Sequence, residues 1–275
     1  MNAPPDSPAS LALRALYEPI AALLARWSDT QLPDAHALNA LLHEAAPAAR
    51  TAAGRSLRFD PAPAATEGYE VCIYDDGRVP TRPDDWHDYF NALSWCVWPR
   101  SKAALNAAHV AEIAARRVAG LPGRGPRRDA LTQFDECGMV VVSSDPAILD
   151  GLAGHAWPEV FVRRRTNLPA TAAFMLLGHA SWDQLRAPFV GLCAKTLHRL
   201  VEPAWFSLPT EARQRDTDRW LAAHITAGEV LSSPRTLYPL PLLGIPGVTP
   251  DSECDDYYLD ERQFRPAPQH VGRSA

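Results

Sequence analysis

The sequence predicts an α+β fold in which helices dominate and a small sheet completes one compact domain, residues 8–266. Three observations carry that prediction. Long stretches repeat their apolar residues at the three- and four-residue spacing of amphipathic helices. Three short runs, Leu57–Phe59, Tyr69–Tyr74 and Met139–Ser143, have strand length and carry β-branched or aromatic residues. The chain has 275 residues, 47% of them hydrophobic, which is enough to fill a sizeable core.

The elements follow in order. Residues 1–7 and 267–275 are expected to be loose ends. Residues 8–27 read as an amphipathic helix interrupted by Pro19, and 34–46 as a second helix. The strands at 57–59 and 69–74 come next, and Asp75-Asp76-Gly77 makes a hairpin-type turn into Arg78–Val79. Asp84 or Asp85, after Pro83, caps the following helix, where an acid also suits the positive end of the helix dipole. Pro99 ends or kinks that helix, since an interior proline costs ~3 kcal/mol. It suits the first turn of the next, which runs to about Arg117. Residues 120–128 form a Gly/Pro/Arg loop, the place for any subdivision. A helical turn at 129–134 leads into Met139–Ser143, the best strand of the chain.

Helical character then dominates from 145 to 226, with breaks at Pro158, Pro169, Pro188 and Pro203. Within it Gly178 fits a helix C-terminus and Ser181 with Gln184 a capping box, which leaves His179 in a short link. A continuous helix through Gly178 is the alternative. From residue 231 the chain is rich in proline, then in acids at Asp251, Glu253, Asp255, Asp256, Asp260 and Glu261. It cannot form a regular helix and is expected to wrap the surface and partly cover a cleft.

Composition narrows the function. A net charge of −5 argues against a general nucleic-acid binder. Five scattered cysteines without a CxxC pair suit reduced thiols in a cytoplasmic protein. No run approaches 18 uncharged apolar residues, and residues 1–10 lack a basic leader, so no membrane association is expected. Dinucleotide, Walker, HExxH and GxSxG motifs are absent from the sequence. The oligomeric state is not legible.

Chemistry concentrates in residues 82–109. On the helix after Pro83, Phe90, Leu93, Cys96 and Val97 gather on one side, while His87, Asp88, Asn91 and Ser94 share the other with Trp95 and Trp98. Cys96 lies away from His87, which argues against a Cys–His nucleophile. On the next helix Lys102, Asn106 and His109 share a face with Leu105 and Ile113, so part of that polar set must be buried and hydrogen-bonded. His87 and Asp88, near a helix end, suit Zn, Mn or Fe. Asp135 and Glu136, placed in the loop before the Met139 strand, and His179 are the candidates for further ligands. Lys102 or Arg128 would stabilise developing negative charge, with Asn91 and Asn106 beside them. The competing reading makes the same residues a structural hydrogen-bond network, with Asp88 only capping its helix.

Two metal architectures compare in part. HD phosphohydrolases carry His-Asp on a helix but need an upstream histidine, for which His43 is the one placed candidate. The Asn91-x-Leu93-x-Trp95 turn and Asn106–His109 echo the His-Me finger nucleases, whose catalytic histidine precedes the asparagine on a hairpin strand. Arginines cluster at 116, 117, 124, 127 and 128 and at 163–165. They suit either a phosphate or, more often, a solvated face paired with acids such as those of the C-terminal segment.

A longer set of motifs occurs in order: Tyr69-Glu70, Gly77-Arg78-Val79-Pro80-Thr81-Arg82, Trp86-His87-Asp88, Phe90-Asn91-Ala92-Leu93, Trp95, Pro99, Lys102 and Leu105-Asn106. Arg128-Asp129-Ala130-Leu131-Thr132, Phe134-Asp135-Glu136, Gly178-His179-Ala180 and Phe264-Arg265-Pro266 follow. With these the chain resembles the bacterial "domain of unknown function 3025" family from roughly residue 10 to 266. The resemblance brings little about function. From the residues themselves the favoured expectation is a metal-dependent hydrolase acting on a small phosphoester or related substrate. The alternative is a non-catalytic ligand binder or scaffold.

Overall fold

A computed structural model describes residues 7–63 and 68–267. The α+β class and the dominance of helices hold. The predicted loose ends lie almost wholly outside the described residues; Ser7, which is described, caps the first helix by accepting from Ser10 N.

The helices are α1 (Pro8–Leu11), α2 (Ala21–Leu24), α3 (Ala35–Ala45), α4 (Tyr69–Asp76), α5 (Trp86–Val97), α6 (Pro99–Val118), α7 (Gly125–Cys137), α8 (Pro146–Ala153), α9 (Leu168–Thr171), α10 (His179–Gln184) and α11 (Thr210–Ala227). The strands are β1 (Arg58–Asp60), β2 (Arg78–Pro80), β3 (Gly138–Ser143), β4 (Ala172–Leu176), β5 (Cys193–Leu200) and β6 (Tyr238–Pro241).

The sheet departs from expectation. Instead of one sheet built from residues near 57, 69–79 and 139–143 there are two. β1 and β2 form a parallel pair, and β3 lies inside a four-stranded sheet of order β4-β3-β5-β6. β3 pairs antiparallel with β4 and parallel with β5, and every one of its residues is buried. β4 and β5 fall within the stretch read as helical. A short apolar strand buried on both faces lacks alternation, so periodicity alone does not separate it from a buried helix.

Tyr69–Tyr74 is likewise helix, not strand, and no hairpin follows it. Gly77 terminates α4 at φ 66°, and a Cβ there would stand 2.2 Å from the Ser56 carbonyl oxygen. Strand propensity at Val71, Ile73 and Tyr74 yields to tertiary contacts that only the helix makes. The helix read over 8–27 with an interruption at Pro19 is indeed broken, but the break falls at residues 12–17, and Pro19 lies in a 3-10 turn, Glu18–Ile20, that leads into α2.

α5 and α6 form the centre of the molecule. Residues Tyr89–Cys96 are all buried, so α5 has core on both of its sides. Trp98 Nε1 donates to the Leu176 carbonyl (3.0 Å) and Ser94 Oγ to that of Leu177 (3.0 Å), which ties the end of α5 to the end of β4. Trp98 offers α6 no side-chain cap. Asp218 of α11 takes that role, accepting from Ser101 N (2.8 Å), Arg100 N (3.2 Å) and Ser101 Oγ (2.7 Å). The apolar core is one cluster that extends from Leu11 to Phe264. No helix among the described residues is long and apolar enough to cross a membrane.

Candidate metal centre

The first turn of α5 sets the direction of His87. Asp85 caps it, accepting from Asp88 N at 3.0 Å. Asp88 is clamped by Arg82, whose backbone N (2.7 Å) and Nε (2.8 Å) bond Oδ2 while Nη2 bonds Oδ1 (2.9 Å). His87, about 100° around the helix from Asp88, faces α7 and α10 instead.

Glu136 comes from the last turn of α7, which runs to Cys137 and not merely over 129–134. Asp135 and Glu136 therefore sit on a helix rather than in the expected loop. His179 opens α10, directly after β4, with Gly178 before the helix and not at the end of one. A Cβ on Gly178 would lie 2.5 Å from Cys137 Cα and 2.5 Å from Gly138 N. That close backbone approach presses the β4–α10 junction against the α7–β3 junction, and so brings His179 to Glu136.

The result is a triangle of ligand atoms. His87 Nε2 lies 3.2 Å from His179 Nε2 and 3.9 Å from Glu136 Oε2, and His179 Nε2 is 3.6 Å from the same oxygen. Ligands bound tetrahedrally at ~2.0–2.1 Å would stand roughly 3.4 Å apart, so one ion fits among these atoms with small adjustments. His179 forms the buried floor, its side chain 4% exposed, while His87 and Glu136 are about one-third open at 35% and 36%. A further ligand position would thus face solvent.

Behind the triangle lies a set of polar groups, buried at Lys102, Asn91 and Asn106 and reaching the surface at Tyr69. Lys102 Nζ donates to Asp135 Oδ1 (2.5 Å) and Asn91 Oδ1 (2.9 Å), and Asn91 Nδ2 donates to the Tyr69 hydroxyl (3.0 Å). Asn106 Nδ2 donates to the Glu70 carbonyl (2.9 Å) and carboxylate (2.7 Å). Trp95, Leu105 and His109 close a small cavity among these groups.

Burial and charge set the protonation states. Burial, helped by the Lys102 charge, lowers His179 to about 3. Its Nδ1 lies 3.8 Å from Asp135 Oδ2, but the imidazole is neutral, so this is not an ion pair. A neutral imidazole is the form that binds metal. Burial alone would raise Asp135, yet the Lys102 ammonium, through its charge and its hydrogen bond, holds it below the usual carboxylate value. Burial, then the neighbouring Asp135 charge, raises Glu136. Burial raises Glu70 to about 7 and lowers His109 to about 4.

Of the predicted ligands, His87, Glu136 and His179 converge and two others do not. Asp88 is taken up by Arg82, because a bidentate guanidinium and a backbone N–H already occupy both its oxygens. The His-Asp pair therefore does not act together, and His43 lies exposed on α3, which removes the HD comparison. Asp135 stands behind His179 rather than beside the ligand atoms. Lys102, expected to meet developing charge, is 3% exposed and fully engaged; Asn91 is bonded to it, and Asn106 is held by Glu70. Arg128 lies close enough to Glu70 and His109 for its charge to act on both.

The other arginines are mostly in structural use. Arg116 binds the Pro122 and Gly123 carbonyls, Arg124 meets Asp129, and Arg165 meets Glu253 and Asp255 of the C-terminal segment. That segment bonds to residues 155–165 and 191–192 instead of covering the triangle. Sequence reasoning missed Tyr69 and Glu70 as part of the polar set. A helical reading of 69–76, with Glu70 and Ile73 three apart on one face, was the signal that pointed to them. Cys96 is buried, and burial pushes its thiol up to about 12, which leaves it inert.

Fold and site together define a helix-dominated α+β protein with a two-histidine, one-carboxylate cluster able to hold a metal. The family model described as "Protein of unknown function (DUF3025)" matches residues 57–268, and the chain belongs to that family. No curated protein and no solved structure matches it.

Proposed function

We propose that the protein is a metal-dependent hydrolase in which His87, Glu136 and His179 hold one divalent ion, Zn, Mn or Fe. The observation that carries this reading is that ligand atoms from three separate helices lie within 4.8 Å of one another. Two imidazoles and a carboxylate leave an open position for water, and a bound ion lowers the pKa of that water towards ~7. Asp135, fixed by Lys102, lies on the Nδ1 side of His179 and would orient the ring from behind the ion. A small substrate enters from the solvent side, where His87 and Glu136 are open. A small phosphoester is the favoured substrate class, although Arg128 lies beside Glu70 and His109, two turns of α7 before Glu136, and so does not itself face the ion.

One observation favours a second reading for part of the set. Lys102, Asn91 and Tyr69 form one hydrogen-bonded set and Asn106 with Glu70 another beside it, which is what a scaffold or ligand-binding protein would also need.

Elemental analysis of protein purified without chelators tests the proposal. Near-stoichiometric Zn, Mn or Fe is expected, lost in His87→Ala, Glu136→Gln and His179→Ala with circular dichroism unchanged. Chromogenic phosphoester hydrolysis should follow the metal content. Wild-type protein that is metal-free and takes up none of the three ions on dialysis would overturn it.

A further inference from the structure

A second site lies at the other end of α5. A cavity of about 590 Å³ opens between the turn after α1, β4 and the start of α11. Its volume is that of small-molecule sites, which run ~300–1,000 Å³. Leu16, Val97, Leu168, Phe174 and Ile245 make its walls apolar. Val97 belongs to the last turn of α5 and His87 to the first, about 15 Å apart along the helix axis, so the two sites are distinct.

The polar lining is not neutral. Arg165, Arg213 and Arg215 face the cavity together with Glu18 and Glu211. Arg165 is occupied by the Phe161 and Ser252 carbonyls. Arg213 lies over the Trp205 ring at 5.7 Å and its Nη2 makes one long bond to Thr210 Oγ1 (3.4 Å); its Nε is buried without a partner, and no acid pairs with it among the described residues. Arg215 likewise has no acid partner there. Glu18 and Glu211 are both exposed, at the rim of the cavity. The lining is therefore an apolar wall with two guanidinium groups that no acid pairs with among the described residues.

We propose that this cavity binds a small amphiphilic monoanion, its acyl-type body against the apolar walls and its acid group on Arg213 and Arg215. A guanidinium is suited to this because it meets a carboxylate bidentately and stacks on an indole. The site does not depend on the metal centre.

Calorimetric titration of the full chain with decanoate and, separately, with decanol tests it. Saturable one-to-one binding of decanoate is expected, at least tenfold tighter than decanol. Arg213→Ala with Arg215→Ala should bring decanoate to the level of decanol. Ala22 is exposed on the cavity wall, so Ala22→Trp should fill the space without disturbing the core; it should abolish binding at unchanged melting temperature. His179→Ala should leave binding unchanged. No saturable binding of decanoate, equal affinity for decanol, or indifference to Ala22→Trp would each overturn the proposal, and the first two need no variant.

Discussion

Lys102 shows how one side chain can be both legible and misread. Its helical position beside Leu105 implied burial, and burial of an ammonium implies an acid partner. Which acid, and whether the amine still faces a substrate, depended on α7 arriving beside it. Breaking a buried pair by removing one member costs about 3–5 kcal/mol, because the other charge stays without compensation. Lys102→Met should therefore lower unfolding free energy in urea by that order, and Lys102→Met with Asp135→Asn should recover much of it. Equal losses in both proteins would mean that an uncompensated Asp135 charge is not what the single substitution costs. Glu70 gives a pH-dependent case. Its folded pKa, about 7, stands above the ordinary 4.5, so the folded state holds the proton more tightly. The stability linked to that proton is fully present below pH 4.5 and is lost as the pH rises through 7. Glu70→Gln keeps an acceptor for Asn106. It should match the wild type near pH 4.5 and melt higher at pH 8, by at most on the order of 3 kcal/mol. A difference that does not change with pH would contradict the shift.

The helices α5, α6 and α3 were readable because caps and spacing agreed: Asp34 and Asp85 at N-caps, Pro99 at a first turn. The elements that carry Glu136 and His179 were harder. α7 begins inside the Gly/Pro/Arg stretch read as a loop over 120–128, at Gly125 and with no side-chain cap, so its length was underestimated and its last turn taken for loop. β4 is a five-residue apolar run inside a helical stretch, and without it Gly178 looks like a helix end. Gly178 matters for a different reason, the close approach of Cys137 and Gly138. Gly178→Ala forces that backbone contact apart, and overpacking of this kind costs roughly 1–3 kcal/mol. The expected outcome is lower stability in urea together with weaker metal uptake, since the shift would move His179 from Glu136. Unchanged values for both would show that the junction tolerates the methyl group.

The core is continuous from Leu11 to Phe264, and C-terminal residues such as Tyr258 and Phe264 are buried in it. One cooperative unfolding transition is therefore expected, with tryptophan fluorescence and far-ultraviolet circular dichroism coincident. Two separated transitions, with proteolysis at 120–128 releasing a folded fragment, would instead support the subdivision at that loop. By itself the sequence determined the class of fold, its family, the helices with strong caps, and the residue types that cluster, because these follow from local spacing and composition. Tertiary structure alone decided which acid meets which histidine. Asp88 and Glu136 differ little as isolated carboxylates; a guanidinium six residues before the one, and a glycine-sized gap beside the other, assign them to different tasks.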